Sequence, residues 1–124
     1  MWTYSQSTGE LKQNGKLMGT GYSGRNVPGG PQGRNNPELE AMPNIGPVPR
    51  GRYTIPNPVK VAHNSPPVFP LAPKGHNAHG RTGFQIHGNN VKNDASRGCI
   101  ILDFPVRTAI KKTLKKDREI EVTR

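Results

Sequence analysis

Glycine and proline recur so often along this 124-residue chain, 15 and 13 times, that much of it must be loop. Proline fixes φ and removes a backbone donor, and glycine weakens any strand or helix it interrupts. Only 31% of the residues are hydrophobic, and the length suffices for one core but not for two. These features predict a single domain over residues 1–124, mostly β, in which a small sheet carries long excursions.

The local signals place the elements. Asn14-Gly15, between Leu11-Lys12-Gln13 and Lys16-Leu17-Met18, predicts an N-terminal hairpin. From Gly24 to Pro37 there is no apolar periodicity, which predicts a long exposed loop suited to gating a substrate or binding a partner. Pro37 to Met42 has room for one or two helical turns before Pro43, and residues 47–55 read as a turn feeding a strand with Tyr53 and Ile55 on one face. Val68 to Leu71 reads as an edge strand, because Pro70 interrupts it. Lys74 to Thr82 reads as a polar loop. Phe84 to His87 then ends one strand, and Cys99 to Leu102 begins another. Beyond it, Asp103 and Pro105 open an amphipathic helix with Val106, Ala109, Ile110 and Leu114 on one face and Lys111, Lys112, Lys115 and Lys116 on the other. Glu119 to Val122 alternates as a final strand.

A net charge of +10 draws the chain toward polyanions, whether nucleic acid, anionic wall, anionic lipid or an acidic protein. No stretch approaches the roughly 20 apolar residues that span a bilayer, and the N-terminus lacks the basic and then apolar pattern of a signal peptide. Cys99 is the only cysteine, so no internal disulfide can form.

That lone thiol, twelve residues after His87, suggests a cysteine nucleophile with a histidine base. Cys99 would attack a carbonyl and His87 would take its proton, giving a thiolate–imidazolium pair. The carbonyl of Gly88, or the side chain of Asn89 or His79, would fix the imidazole tautomer. The N–H groups of Gly98 and Cys99 would face the developing oxyanion. Ser96, Arg97, Arg81, His79 and His76 are the candidate substrate-binding residues, with Arg97 and Arg81 suited to a carboxylate. An ion pair with Asp94 is the other role open to Arg97. The spacing of His76 and His79 with His87 and Cys99 invites a zinc site, but no paired-cysteine or helix-based motif supports one, so neither a metal nor a cofactor is expected.

The run His87-Gly88 followed by Ser96-Arg97-Gly98-Cys99, preceded by Pro47-Val48-Pro49-Arg50-Gly51-Arg52-Tyr53-Thr54-Ile55, resembles the L,D-transpeptidase (YkuD-type) catalytic domain. Residues 75–82 leading into Phe84-Gln85-Ile86-His87-Gly88, and then Asn93 to Leu102, are more specifically similar to the L,D-transpeptidase-like effectors of bacterial type VI secretion. Trp2-Thr3-Tyr4, Gly21 to Gly24 and Gly33 to Pro37 fit the same group. The resemblance implies a β-sandwich or barrel sheet with long loops and one C-terminal amphipathic helix. It assigns Cys99 as nucleophile and His87 as base in a cysteine L,D-carboxypeptidase/transpeptidase acting on peptidoglycan stem peptides. The bond cut would lie between the L-centre of diaminopimelate and the terminal D-alanine, and water or a D-amino acid would resolve the acyl-enzyme. Arg97 stands where the wider family has a second histidine, the spacing from His87 to Cys99 is shorter than in that family, and Ile101 stands where it has a polar residue. These departures agree with trimming and exchange rather than cross-linking.

The same resemblance implies a monomeric antibacterial toxin, made in the cytoplasm and delivered to the periplasm of a target bacterium. An immunity protein and a secretion-machinery component would be its partners, with no nucleic acid among them. Two rival readings account for the charge: a basic nuclease toxin using His76, His79 and His87, and a non-catalytic wall-binding module.

Overall fold

Backbone pairing in the computed structural model, which describes residues 1–124, sorts the strands into two mixed sheets. The chain begins with β1 (Trp2–Ser5), β2 (Glu10–Gln13) and β3 (Lys16–Thr20), and passes through β4 (Tyr22–Ser23) into a long irregular stretch. Then follow β5 (Gly51–Thr54), β6 (Val59–Val61), β7 (Asn64–Pro70), β8 (Ala72–Lys74), β9 (Gln85–His87) and β10 (Ile100–Ile101). Helix α1 (Phe104–Thr113) and β11 (Glu119–Thr123) close the chain. One sheet has the order β3-β2-β1-β11-β5-β8 and the other β4-β10-β9-β7-β6. The predicted mostly-β class therefore holds, with one helix of ten residues.

The hairpin forms as predicted. Asn14 and Gly15 both take positive φ, 49° and 85°, the combination that a two-residue turn needs to match the twist of its strands. β1 and β11, the two ends of the chain, lie side by side and parallel, Trp2 opposite Ile120. Their alternation drives Trp2, Tyr4, Ile120 and Val122 inward, where they meet Tyr53 of β5 and, from the second sheet, Phe69, Ile86 and Ile100. Ile110 and Leu114 of the helical segment complete this core. No helix is long and apolar enough to cross a membrane.

Two expectations need correction. β7 is an interior strand of seven residues, between β9 and β6, rather than a short edge strand. Pro70 is tolerated there because the neighbouring Leu71 N–H turns to the Phe84 carbonyl (2.9 Å), which leaves the proline nitrogen facing away from β9. It lies past Val68, the last residue that β6 pairs. The loop from Gly24 to Pro37 is also less open than its composition suggests. Asn26 bridges Gln32, the Arg25 N–H donates to the Ile45 carbonyl (2.9 Å), and Gly33 and Pro37 are buried. The predicted turn before Pro43 is a 3-10 turn over Pro37–Leu39, capped by the Asn36 side chain.

Candidate active site

The parallel pairing of β9 with β10 decides which side chains can meet. Ile100 lies opposite Ile86 and Ile101 opposite His87, and both Ile86 and Ile100 are core residues. Because successive side chains alternate between faces, Gln85 and His87 of β9 and Cys99 and Ile101 of the β10 run share the other face. Cys99 therefore sits on the same surface as His87, two residues upstream of His87's direct partner. The thiol is half-buried and His87 is 6% exposed.

His87 has its tautomer set by its successor. A carbonyl can only accept, so the 2.8 Å contact with the Gly88 oxygen places a proton on Nδ1 and leaves Nε2 as the basic nitrogen. Burial holds the imidazole below its ordinary value, opposed by that hydrogen bond and reinforced by the Arg107 charge. Burial likewise pushes the Cys99 thiol up, against the Gln85 backbone N–H and the Arg81 charge, which pull it down. The Sγ–H is directed at the Gly83 carbonyl, 3.8 Å away. Both shifts favour the uncharged forms of the two groups.

The segment before the thiol is fixed by two buried serines. Ser96 Oγ donates to the Cys99 carbonyl (2.6 Å) and accepts from the N–H groups of Gly24 (2.8 Å) and Gly98 (3.2 Å). Ser23 Oγ donates to the Gly98 carbonyl (3.1 Å) and accepts from the Val48 N–H (2.8 Å). Ser96 is fully buried with its hydroxyl saturated, so it shapes the loop instead of touching substrate. The Gly98 N–H is spent on Ser96, so it is not the free oxyanion donor expected of it.

Arg81 is also redirected. Its guanidinium donates to four carbonyls, those of Glu40 (2.6 Å), Pro47 (2.8 Å), Gly46 (3.0 Å) and Arg97 (3.1 Å). It is 7% exposed and acts as the bracket for two loops rather than as a free carboxylate receptor. His76 is locked as well. Its Nδ1 accepts from the Ala78 N–H (3.1 Å), so Nε2 carries the proton and donates to the Arg52 carbonyl (2.8 Å). Its ring packs edge-on against Tyr53, which makes it a loop cap with no valence left for substrate. His79 stays 47% exposed, 3.5 Å from the Glu40 carboxylate. Arg97 is exposed and its side chain makes no ion pair, so the expected contact with Asp94 is absent; Asp94 instead accepts from Asn90 (2.7 Å).

Arg107 is the residue that sequence reasoning missed. It lies on α1, 4% exposed, and donates to the carbonyls of Leu102 (2.9 Å), Ser65 (2.8 Å) and Pro67 (3.0 Å). A Cβ on Gly88 would come within 2.7 Å of its Nη2, so a side chain there would press on this arginine, whose charge acts on His87. The clue was an arginine one position after the helical apolar stripe begins at Val106. No group of three or more His, Cys, Asp or Glu side chains converges as a metal site. The largest concavity, about 530 Å³ between Met1, Asn14 and Lys116, includes neither Cys99 nor His87.

Gly98 has φ +132°, and a Cβ there would meet Arg81 Nη2 at 2.6 Å and the Phe84 ring at 3.1 Å. Gly98→Ala is expected to cost about 2–4 kcal/mol, from backbone strain plus overpacking. Gly83→Ala, also at positive φ (+80°) but with nothing within 4 Å, should cost only about 1 kcal/mol. Equal losses in urea unfolding would show that packing around Gly98 is unimportant.

Glu40 ties these loops together. Its carboxylate accepts from Gln6 Nε2 (2.9 Å), the Arg50 N–H (2.9 Å) and Arg50 Nη2 (2.8 Å). Burial alone would raise it, but the Arg50 hydrogen bonds and charge, with Gln6, bring it from 4.5 down to about 2. A carboxyl held low in the folded state stabilises fully above its unfolded value, and that contribution is lost as pH falls from 4.5 toward 2. Glu40→Gln should therefore lower the urea midpoint at neutral pH and flatten its decline across that acid window; an unchanged slope refutes the linkage.

The fold and site define a small mixed-sheet domain with a thiol and a buried imidazole on one face of two parallel strands. The family model for the Tlde1 domain matches residues 18–124, and the chain belongs to that family, one of type VI secretion effectors. The family marks an antibacterial toxin secreted into a target cell, a protein class that calls for an immunity partner. No curated protein and no solved structure matches the chain.

Proposed function

We propose that this effector is a cysteine L,D-carboxypeptidase/transpeptidase that acts on peptidoglycan stem peptides in the periplasm of the target cell. The observation that carries the proposal is the shared face of Cys99 and His87, with the Gly88 carbonyl holding Nδ1–H and leaving Nε2 as the base. Sγ attacks the substrate carbonyl carbon while its proton passes to Nε2. The tetrahedral intermediate collapses, the C–N bond breaks, and the imidazolium returns that proton to the departing D-alanine nitrogen, leaving a thioester on Cys99. Water or the amine of a D-amino acid then attacks the thioester, giving up its proton through Nε2 and restoring the thiol. With the Gly98 N–H engaged by Ser96, oxyanion donation falls to the Cys99 N–H, the other donor expected of this segment.

The test is a mass-spectrometric profile of purified muropeptides incubated with the protein, with and without added D-amino acid. Loss of terminal D-alanine, and its replacement when a D-amino acid is present, is the expected result. An unchanged profile rejects the enzyme and leaves a wall-binding module. The nuclease reading is weakened by His76, whose two ring nitrogens are already engaged. Nucleic-acid cleavage that persists in Cys99→Ala would revive it.

A further inference from the structure

A cavity of about 270 Å³ is lined by Pro43, Asn44, His79, Gly80, Arg81, Thr82 and Arg97, the last of these two residues before Cys99 in the chain. Its lining contains two arginines, one histidine and no carboxylate. The Arg81 guanidinium donates to backbone carbonyls and to no carboxylate, with the Glu40 charge the nearby anion that acts on it. The Arg97 side chain has no partner at all, yet its backbone is anchored, its carbonyl accepting from Arg81 Nη2 (3.1 Å). An exposed, unpaired fork on an anchored backbone, lining the same cavity as a second arginine, is the chemistry of a carboxylate receptor.

The strand directions say which part of a substrate would enter it. Residues 79–82 precede β9 and Arg97 precedes β10, so the cavity lies at the N-terminal ends of these two parallel strands. His87 lies at the C-terminal end of β9, opposite Ile101. Cys99 is between them. In the acyl transfer proposed above the imidazole must reach the leaving nitrogen, because it hands that nitrogen its proton. The leaving D-alanine then lies toward His87, and the acyl portion extends the other way, toward Arg97.

Building on that reading, we infer that the cavity is the acyl-donor subsite, in which Arg97 receives the free carboxylate on the side arm of the diaminopimelate residue that becomes the acyl group. The D-alanine carboxylate and the incoming acceptor lie outside it.

The experiment uses Cys99→Ala protein, which binds without turnover, and three tetrapeptides: the free acid, the form amidated on the diaminopimelate side arm, and the form amidated on the terminal D-alanine. Each is titrated into proteins carrying Arg97 or Arg97→Ala. Side-arm amidation should weaken binding about tenfold with Arg97 and less than about twofold without it, a coupling of about 1.0–1.4 kcal/mol. Terminal amidation should show no such coupling. In the protein that retains Cys99, Arg97→Ala should slow acylation by a similar factor while leaving the partition between water and added D-amino acid unchanged. Coupling to the terminal carboxylate, equal amidation penalties with and without Arg97, or a shifted partition each overturn the inference. If D-alanine release persists under any of these results, the proposed activity stands and only the subsite falls. No release from any peptide by the Cys99 protein overturns both.

Discussion

If the proposed chemistry holds, Cys99→Ala should abolish D-alanine release, and His87→Ala should lower kcat/KM by about 10²–10⁴-fold, the range for a lost general base. The more informative result is the pH dependence. Burial and the Arg107 charge hold His87 below its ordinary value of 6.5, and burial holds Cys99 above its ordinary 9.0. In the proposed mechanism one proton is shared: it needs a neutral imidazole to accept it and a thiol to provide it, and the same proton then serves the leaving nitrogen. Activity should therefore be lost on the acid side below pH 6.5, where His87 becomes protonated, and on the alkaline side above 9.0, where the thiol has lost its proton. Alkylation of Cys99 by iodoacetamide should inflect above pH 9.0. An inflection below 6.5 would mean a thiolate already paired with imidazolium, contrary to the environment described here. Arg107→Met should move the acid limb upward, because removing a nearby cation makes the imidazolium easier to form.

The features legible in the sequence were those with a local cause. Asn14-Gly15 marks its hairpin because only a few residue pairs accept two successive positive φ angles. The apolar run ending at His87 and the one beginning at Cys99 each mark a strand, and the register that sets Ile100 opposite Ile86 puts both side chains on a common face. Val106, Ala109, Ile110 and Leu114 likewise report the helix. The supports of the site have no such local signature. Arg81 is anchored by carbonyls of residues 40, 46 and 47, Ser23 by Gly98, and Arg107 by the carbonyls of residues 65 and 67. Polar side chains read as exposed unless a distant backbone needs them. One general signal was available. Gly46, Pro47, Val48 and Pro49 are buried without belonging to a strand or helix, so their carbonyls must find donors elsewhere in the molecule. Arginine, with five N–H groups in one plane, is the side chain that can serve several at once.

Removing that anchor should unfold more of the protein than any substitution at the reacting groups. Arg81→Met keeps the aliphatic stem but strips donors from four carbonyls, two of whose bonds, to Pro47 and Gly46, are fully buried. An unsatisfied buried acceptor costs about 1–3 kcal/mol, and partial relaxation of the loops limits the total to about 3–5 kcal/mol. The thermal midpoint should fall by roughly 10–20 °C for a domain of this size. Arg81→Lys should recover little of this, because one ammonium cannot span carbonyls contributed by two separate loops. The damage also reaches the chemistry. Arg81 Nη2 holds the Arg97 carbonyl (3.1 Å), two residues before the nucleophile, and its charge is one of the two influences that draw the Cys99 thiol downward. Folded Arg81→Met, measured well below its new midpoint, should therefore alkylate more slowly at a given pH than the parent chain. Full stability in Arg81→Met would mean that water replaces the guanidinium at those carbonyls, and the loops would then owe their shape to Ser23, Ser96 and Glu40 instead.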